Sequence, residues 1–211
     1  MIEIEKRSLI NKSDYDRLIN FFQKEGKETQ NFKRYTLIRI ERADFVPDES
    51  AVFDFRLRSD GKIGLMTVKS GSWHSGEARK EYEVHFPLDE FKDALGMLIE
   101  TGTPYFVSVY IERKEFTYNG YTVSMDRYFF NDDYIIDFEK LVTDNEKDKV
   151  IEEENKIVEL MEELKLEVIK SGEMIDFIKR LNMIKKSQHD FSKIDIDLWY
   201  KDWEKYVYCQ V

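Results

Sequence analysis

Twelve charged side chains stand at alternating positions in short runs along this chain, and their types define a chemistry. Glu3, Glu5 and Arg7 open the series, and Arg56, Arg58 and Lys69 follow. Arg79, Glu81 and Glu83 alternate next, then Arg113 precedes Asp137 and Glu139. Clustered carboxylates suit a hard divalent cation such as Mg2+ or Mn2+, which takes oxygen ligands. Arginine and lysine suit an extended polyanion, because the guanidinium fork matches phosphate oxygens two at a time. Cation and bases together are the equipment of phosphoryl transfer, where catalysis is mostly positioning and charge neutralisation.

Alternation of this kind needs strands, in which successive side chains point to opposite faces. In MIEIEKRSLI the charged row Glu3, Glu5, Arg7 opposes Ile2 and Ile4, with Lys6 a polar exception. In FDFRLR, Phe53, Phe55 and Leu57 oppose Asp54, Arg56 and Arg58, and in IIDFEKL Asp137 and Glu139 oppose Ile136 and Phe138. Further strands are expected at Phe32 to Arg42, Val52 to Ser59, Lys62 to Lys69, Ala78 to Phe86, Tyr105 to Tyr118, Tyr121 to Phe130 and Tyr134 to Val142. Asp60-Gly61, Asn119-Gly120 and Asn131-Asp132-Asp133 supply hairpin turns between them.

Eight antiparallel strands tend to close on themselves, since closure removes exposed edges. The expected fold class is α+β: an eight-stranded antiparallel β-barrel with flanking helices and a C-terminal helical extension. Its charged faces would point inward and line a wet tunnel, while helices cover the apolar faces. The competing arrangement, an outward salt-bridge lattice around an apolar core, has no need of arginines spaced for bidentate contacts. Ser13 reads as the N-cap of a first helix ending near Gly26, and Asp89 to Glu100 as a second. From Asp144 the chain turns acidic and helical, with further helices at Gly172 to Lys186 and Asp195 to Val207. The expected division is a tunnel domain at 1–142 and a helical extension, packed on the barrel, at 143–211.

Composition narrows the setting. The chain has 211 residues, 42% of them hydrophobic, which excludes wholesale disorder. No apolar run is long enough for a membrane span, and no cleavable signal pattern is present. One cysteine, Cys209, rules out an internal disulfide framework and fits a reducing, cytoplasmic location. A net charge of −10 argues against nucleic acid as a partner, without excluding a locally basic pocket. His74, His85 and His189 are scattered and lack cysteine partners, so a zinc site is not expected.

The ordered set of charged motifs resembles the CYTH superfamily, the triphosphate tunnel metalloenzymes. Glu3, Glu5 and Arg7 match its opening E-x-E-x-K motif, Arg56, Arg58 and Lys69 its R-x-R and later lysine. Arg79, Glu81 and Glu83 match its R-x-E-x-E strand, Arg113 its later base, and Asp137 and Glu139 its closing acidic pair. The resemblance runs in order over about residues 1 to 142. It implies that Glu3, Glu5, Asp137 and Glu139 hold Mg2+ or Mn2+. It implies that Arg7, Arg56, Arg58, Lys69, Arg79 and Arg113 bind a triphosphate. Glu81 and Glu83 would order the bases or a water, and with Lys69 they are the catalytic candidates. Two positions depart from the pattern: Arg7 replaces lysine and so stays protonated, and Asp137 replaces glutamate, with a shorter reach.

The expected activity is a metal-dependent hydrolase, a triphosphatase acting on inorganic triphosphate or a small organic triphosphate. A class IV adenylyl cyclase making cyclic AMP would use nearly the same ligands. An RNA 5'-triphosphatase fits the charge less well. A silent polyphosphate- or nucleotide-binding module is the alternative that the two departures suggest. Small-molecule triphosphate or polyphosphate is the expected partner, with a monomer and a homodimer both open. Lys33, Arg34, Tyr35 and Arg39 are further candidates, Asp126 and Arg127 carry weak signals, and Trp73 and His74 sit in a loop after Lys69. Trp199 and Trp203 read as packing residues.

Overall fold

A computed structural model of the chain describes residues 2–40, 53–70, 80–102, 104–142 and 149–208. In it the alternating segments become strands β1 (Ile2–Ile10), β2 (Lys27–Arg39), β3 (Phe53–Ser59), β4 (Ile63–Ser70), β5 (Lys80–Pro87), β6 (Tyr105–Tyr118), β7 (Tyr121–Tyr128) and β8 (Asp133–Val142). A ninth, β9 (Gln188–Asp190), pairs with β6. Helices α1 (Lys12–Glu25), α2 (Phe91–Thr101), α3 (Val150–Glu163), α4 (Ser171–Asn182) and α5 (Ile196–Tyr208) complete the α+β fold. The strand order is β1-β8-β7-β6-β2-β3-β4-β5.

Closure of the sheet was expected, but the hydrogen-bonded path is open, running from β1 to β5 among the described residues. An open edge is tolerated when charges and proline discourage further pairing. Strand β5 carries Lys80, Glu81 and Glu83 and ends at Pro87. Its Tyr82 and Val84 are each 63% exposed, so the apolar face expected to lie under a helix is open to solvent on this strand.

The chain forms two compact units, Met1–Phe32 with Glu112–Met174, and Lys33–Ile111 with Ile175–Val211. In the first, Ile4, Val123, Met125, Ile136 and Phe138 present one apolar face to Leu18, Ile19 and Phe22 of α1 and to Ile157, Leu160 and Met161 of α3. Phe22 is fully buried, stacked 5.7 Å from Phe116 and set edge-on 6.2 Å from Phe138. Helix α1 starts one residue before the expected cap. Asn11, not Ser13, caps it, its side chain accepting from Asp14 N at 2.9 Å. At the other end a Cβ on Gly26 would lie 2.9 Å from Phe22 O and 3.3 Å from Thr117 O, a close approach that only glycine allows.

In the second unit Tyr35, Leu37 and Leu57 form the buried face. Trp203 of α5 stacks 4.2 Å from Phe91 of α2 and meets Tyr35 edge-on at 6.3 Å. The tryptophans therefore pack as expected, and Tyr35 belongs to that core rather than to the charged face. Strand β2 begins earlier than expected, because Lys27–Asn31 is exposed and carries no apolar signal. Strand β9 is three residues long, too short for alternation to show. Trp73 and His74 lie outside the described residues, as do the expected strand ends at 41–42, 52 and 78–79.

Phe22 gives a direct test of this packing. Phe22→Ala should cost about 3–5 kcal/mol through lost burial and a residual cavity. At about 2–4 °C per kcal/mol for a chain of this size, the midpoint should fall by roughly ten degrees in thermal denaturation.

Candidate metal and polyphosphate site

Strands β1 and β8 pair with Glu5 opposite Glu139, Arg7 opposite Asp137 and Glu3 opposite Leu141. Opposed residues share a face, so this register alone gathers the charges. Strand β7 extends the row, with Thr122 opposite Glu139 and Ser124 opposite Asp137. Carboxylate oxygens of Glu5, Asp137 and Glu139 lie within 4.8 Å of one another. Glu3 shares their face without joining that triad among the described residues.

Two guanidinium groups hold the carboxylates in place. Arg7 donates from Nε to Asp137 Oδ1 at 2.5 Å and from Nη2 to Oδ2 at 3.2 Å, and its Nη2 also donates to Glu5 Oε1. Arg113 donates from Nε and Nη2 to the two oxygens of Asp126, both at 2.7 Å. The second of these nitrogens is also 3.9 Å from Asp137 Oδ2. Asp137 and Asp126 are each 3% exposed, so both carboxylates are charges taken out of water, sustained by bidentate geometry with partly buried arginines. Sequence reasoning gave Asp126 little weight. A signal was present: Arg113 and Asp126 lie at equal distances from the Asn119-Gly120 turn, and a tight hairpin sets such residues side by side.

Among the described residues, acids including Glu3, Glu5, Asp126, Asp137 and Glu139 outnumber the arginines Arg7 and Arg113 on this face. The excess shows in the titration of the acids. Burial pushes the Glu139 carboxyl up from 4.5 to about 8, Glu5 and Asp137 add to the rise, and Arg113 opposes it. Burial also raises Asp137, against the charge and hydrogen bonds of Arg7. Burial works against the charge on Arg7 and Arg113, yet Asp137 with Glu5 in the first case, and Asp126 with Asp137 and Glu139 in the second, together outweigh it, so both stay protonated. Tyr128 is held as the neutral phenol, first by burial and then by Asp126.

The second unit carries the other charged row. Arg56 is opposite Thr67, and Thr67 opposite Glu83, across β3, β4 and β5. Arg58 Nη1 donates to Thr67 Oγ1 at 3.4 Å. Glu83 Oε1 is 2.7 Å from His85 Nε2, a partner that the motif did not include. Lys69 and Glu81 are opposed in the β4–β5 ladder, but their side chains, and all of Arg79, lie outside the described residues. Arg39 lies over the Phe55 ring at 4.8 Å.

A scan against protein-family models finds no match, and neither does a search of curated proteins. Solved structures do match. A conserved hypothetical protein from Pyrococcus furiosus superposes with TM-score 0.56 at 18% identity, covering 93% of this chain and 99% of that one. A proposed adenylate cyclase from Vibrio parahaemolyticus gives 0.56 at 14%, covering 83% and 98%. A proposed adenylyl cyclase from Hippeastrum, described as having a dominant triphosphatase activity, gives 0.52 at 18%, covering 81% and 90%. This chain shares the fold of these structures. No described helix is long and apolar enough to cross a membrane.

The electrostatics of the acidic face predict opposite outcomes for two neutralising variants. Glu139 binds its proton more tightly in the folded state than in the unfolded chain. Stability of the metal-free protein should therefore fall as pH rises from about 4.5 to about 8, the interval between its ordinary and folded values. Glu139→Gln should flatten that slope and raise the melting midpoint by a few degrees at pH 8. Asp126→Asn should instead cost about 3 kcal/mol and lower the midpoint, because Arg113 is left largely buried with half a partner. Thermal melts across pH, without added metal, measure both.

Proposed function

We propose that this protein is a divalent-metal-dependent phosphohydrolase acting on a linear triphosphate, inorganic or carried by a small organic molecule. The observation that supports it most is the carboxylate triad of Glu5, Asp137 and Glu139, with its excess of negative charge and two arginines alongside. Three converging carboxylate oxygens fit a hard cation such as Mg2+ or Mn2+. When bound, such a cation neutralises phosphate charge and lowers the pKa of a bound water.

In this reading Glu5, Asp137 and Glu139 hold the cation, and Glu3 adds charge beside them. Arg7 fixes the rotamer of Asp137 and compensates its charge, a task that suits arginine better than lysine because the contact is bidentate. Arg113, with Nε and Nη2 engaged by Asp126, offers its remaining edge to a phosphate oxygen. Arg56, Arg58, Lys69 and Arg79 are assigned to the phosphate chain. Glu81 and Glu83 are assigned to ordering those bases or the attacking water, with Lys69 beside them as a catalytic candidate.

A class IV-type adenylyl cyclase is the second reading, favoured by what two similar folds are proposed to be. It differs in the nucleophile, a ribose hydroxyl in place of water. Purified protein should release orthophosphate from tripolyphosphate only with Mg2+ or Mn2+. Cyclic AMP from ATP, without orthophosphate, would establish the cyclase instead, and no product from either substrate would leave a binding module. Glu5→Gln should lower turnover by at least a hundredfold while triphosphate still binds. Arg58→Ala should weaken triphosphate binding about tenfold. Calorimetry beside a phosphate-release assay separates the two defects, and full activity in both variants would overturn the proposal.

A further inference from the structure

Ser124 is a buried hydroxyl at the centre of the acidic face. It is 1% exposed and stands opposite Asp137 in the β7–β8 register. Its Oγ has no hydrogen-bond partner among the described residues. Such a group ordinarily finds one, since desolvating a hydroxyl without compensation is unfavourable.

Geometry explains why the neighbouring carboxylates do not serve. Asp137, across the ladder, gives both oxygens to Arg7, at 2.5 and 3.2 Å. Asp126, two residues along β7 on the same face, gives both to Arg113, at 2.7 Å each. Thr122, two residues the other way, stands opposite Glu139. Ser124 is thus set between two satisfied ion pairs, next to a ligand set that its own hydroxyl does not join.

We propose that Ser124 is a positioning residue for the cation site: its Oγ accepts a hydrogen bond from a water on a divalent cation held by Glu5, Asp137 and Glu139. The proposal rests on the metal-dependent reading above and adds a residue to it. Hydrated Mg2+ keeps several of its waters in protein sites, and three carboxylates leave coordination positions for them. A water held by such a cation is a strong donor, and Ser124 supplies a neutral acceptor where the two aspartates beside it, Asp137 and Asp126, are already turned to arginines. A neutral acceptor also adds no further negative charge to a crowded face.

The test is calorimetric titration of the full chain with MgCl2 alone, in parallel with melts of the metal-free protein. Ser124→Ala should weaken Mg2+ binding about tenfold, as loss of an outer hydrogen bond to a metal site typically does. Its metal-free midpoint should stay level or rise, because an unsatisfied buried hydroxyl has been removed. Ser124→Thr, which keeps the hydroxyl, should bind within about threefold of wild type. Unchanged Mg2+ affinity in Ser124→Ala, with wild type binding normally, would overturn the role of Ser124 and leave the metal reading standing. A fall in the metal-free midpoint alongside weaker binding would overturn it too, making Ser124 a packing residue. Wild type that binds neither Mg2+ nor Mn2+ would overturn both.

Discussion

The pairing of β1 with β8 is the constraint on which the charged face depends. Its register sets Glu5 against Glu139 and Arg7 against Asp137, forcing like charges together and placing one cation among them. A slip of one residue would turn every one of these side chains to the other face. The apolar partners prevent that slip. Ile4 and Phe138, on the reverse face of the same two strands, are buried against α1 and α3, so helix packing fixes the position of the carboxylates. Hydrophobic burial, which is not directional, is converted by strand alternation into a precise placement of charge.

Arginine does on this face what an apolar side chain could not. Each buried aspartate is met by a planar fork that satisfies both its oxygens, which keeps desolvation from expelling the charge. Glu139 lacks such a fork among the described residues, and its proton affinity rises accordingly. The unit thus contains compensated acids that act as framework and an uncompensated one that responds to a cation. The difference lies in the neighbours, since all are carboxylates on adjacent strands.

Much of this was legible in the sequence because alternation and turn chemistry are local. The hairpins at Asp60-Gly61 and Asn119-Gly120 sit where their dipeptides placed them, with positive φ at Gly61, Asn119 and Gly120. Alternation along β1 and β8 put Glu3, Glu5, Asp137 and Glu139 on charged faces, and three of these four carboxylates converge. Other features left weaker traces. Asn11 and Ser13 both suit a cap, and only backbone geometry decides between them. Openness of the sheet at β5 depends on a long-range pairing that no local pattern encodes. The importance of Asp126 lies in its partner, and Ser124 is an ordinary strand serine until its burial and lack of a partner are known.

The ligand set also has a consequence for how the protein comes into being. Arg7 and Asp137 are 130 positions apart in the chain, so the carboxylate triad cannot assemble from any local segment. Bringing β1 to β8 closes a long loop, whose entropic cost must be met before the contacts return anything. During synthesis the first strand must wait, its charges solvated and its apolar face unsheltered, until β8, ending at Val142 of 211 residues, has emerged. Completion of this cluster is therefore a late event in folding, and a cation that binds it would act as a latch on the finished topology rather than a nucleus for it.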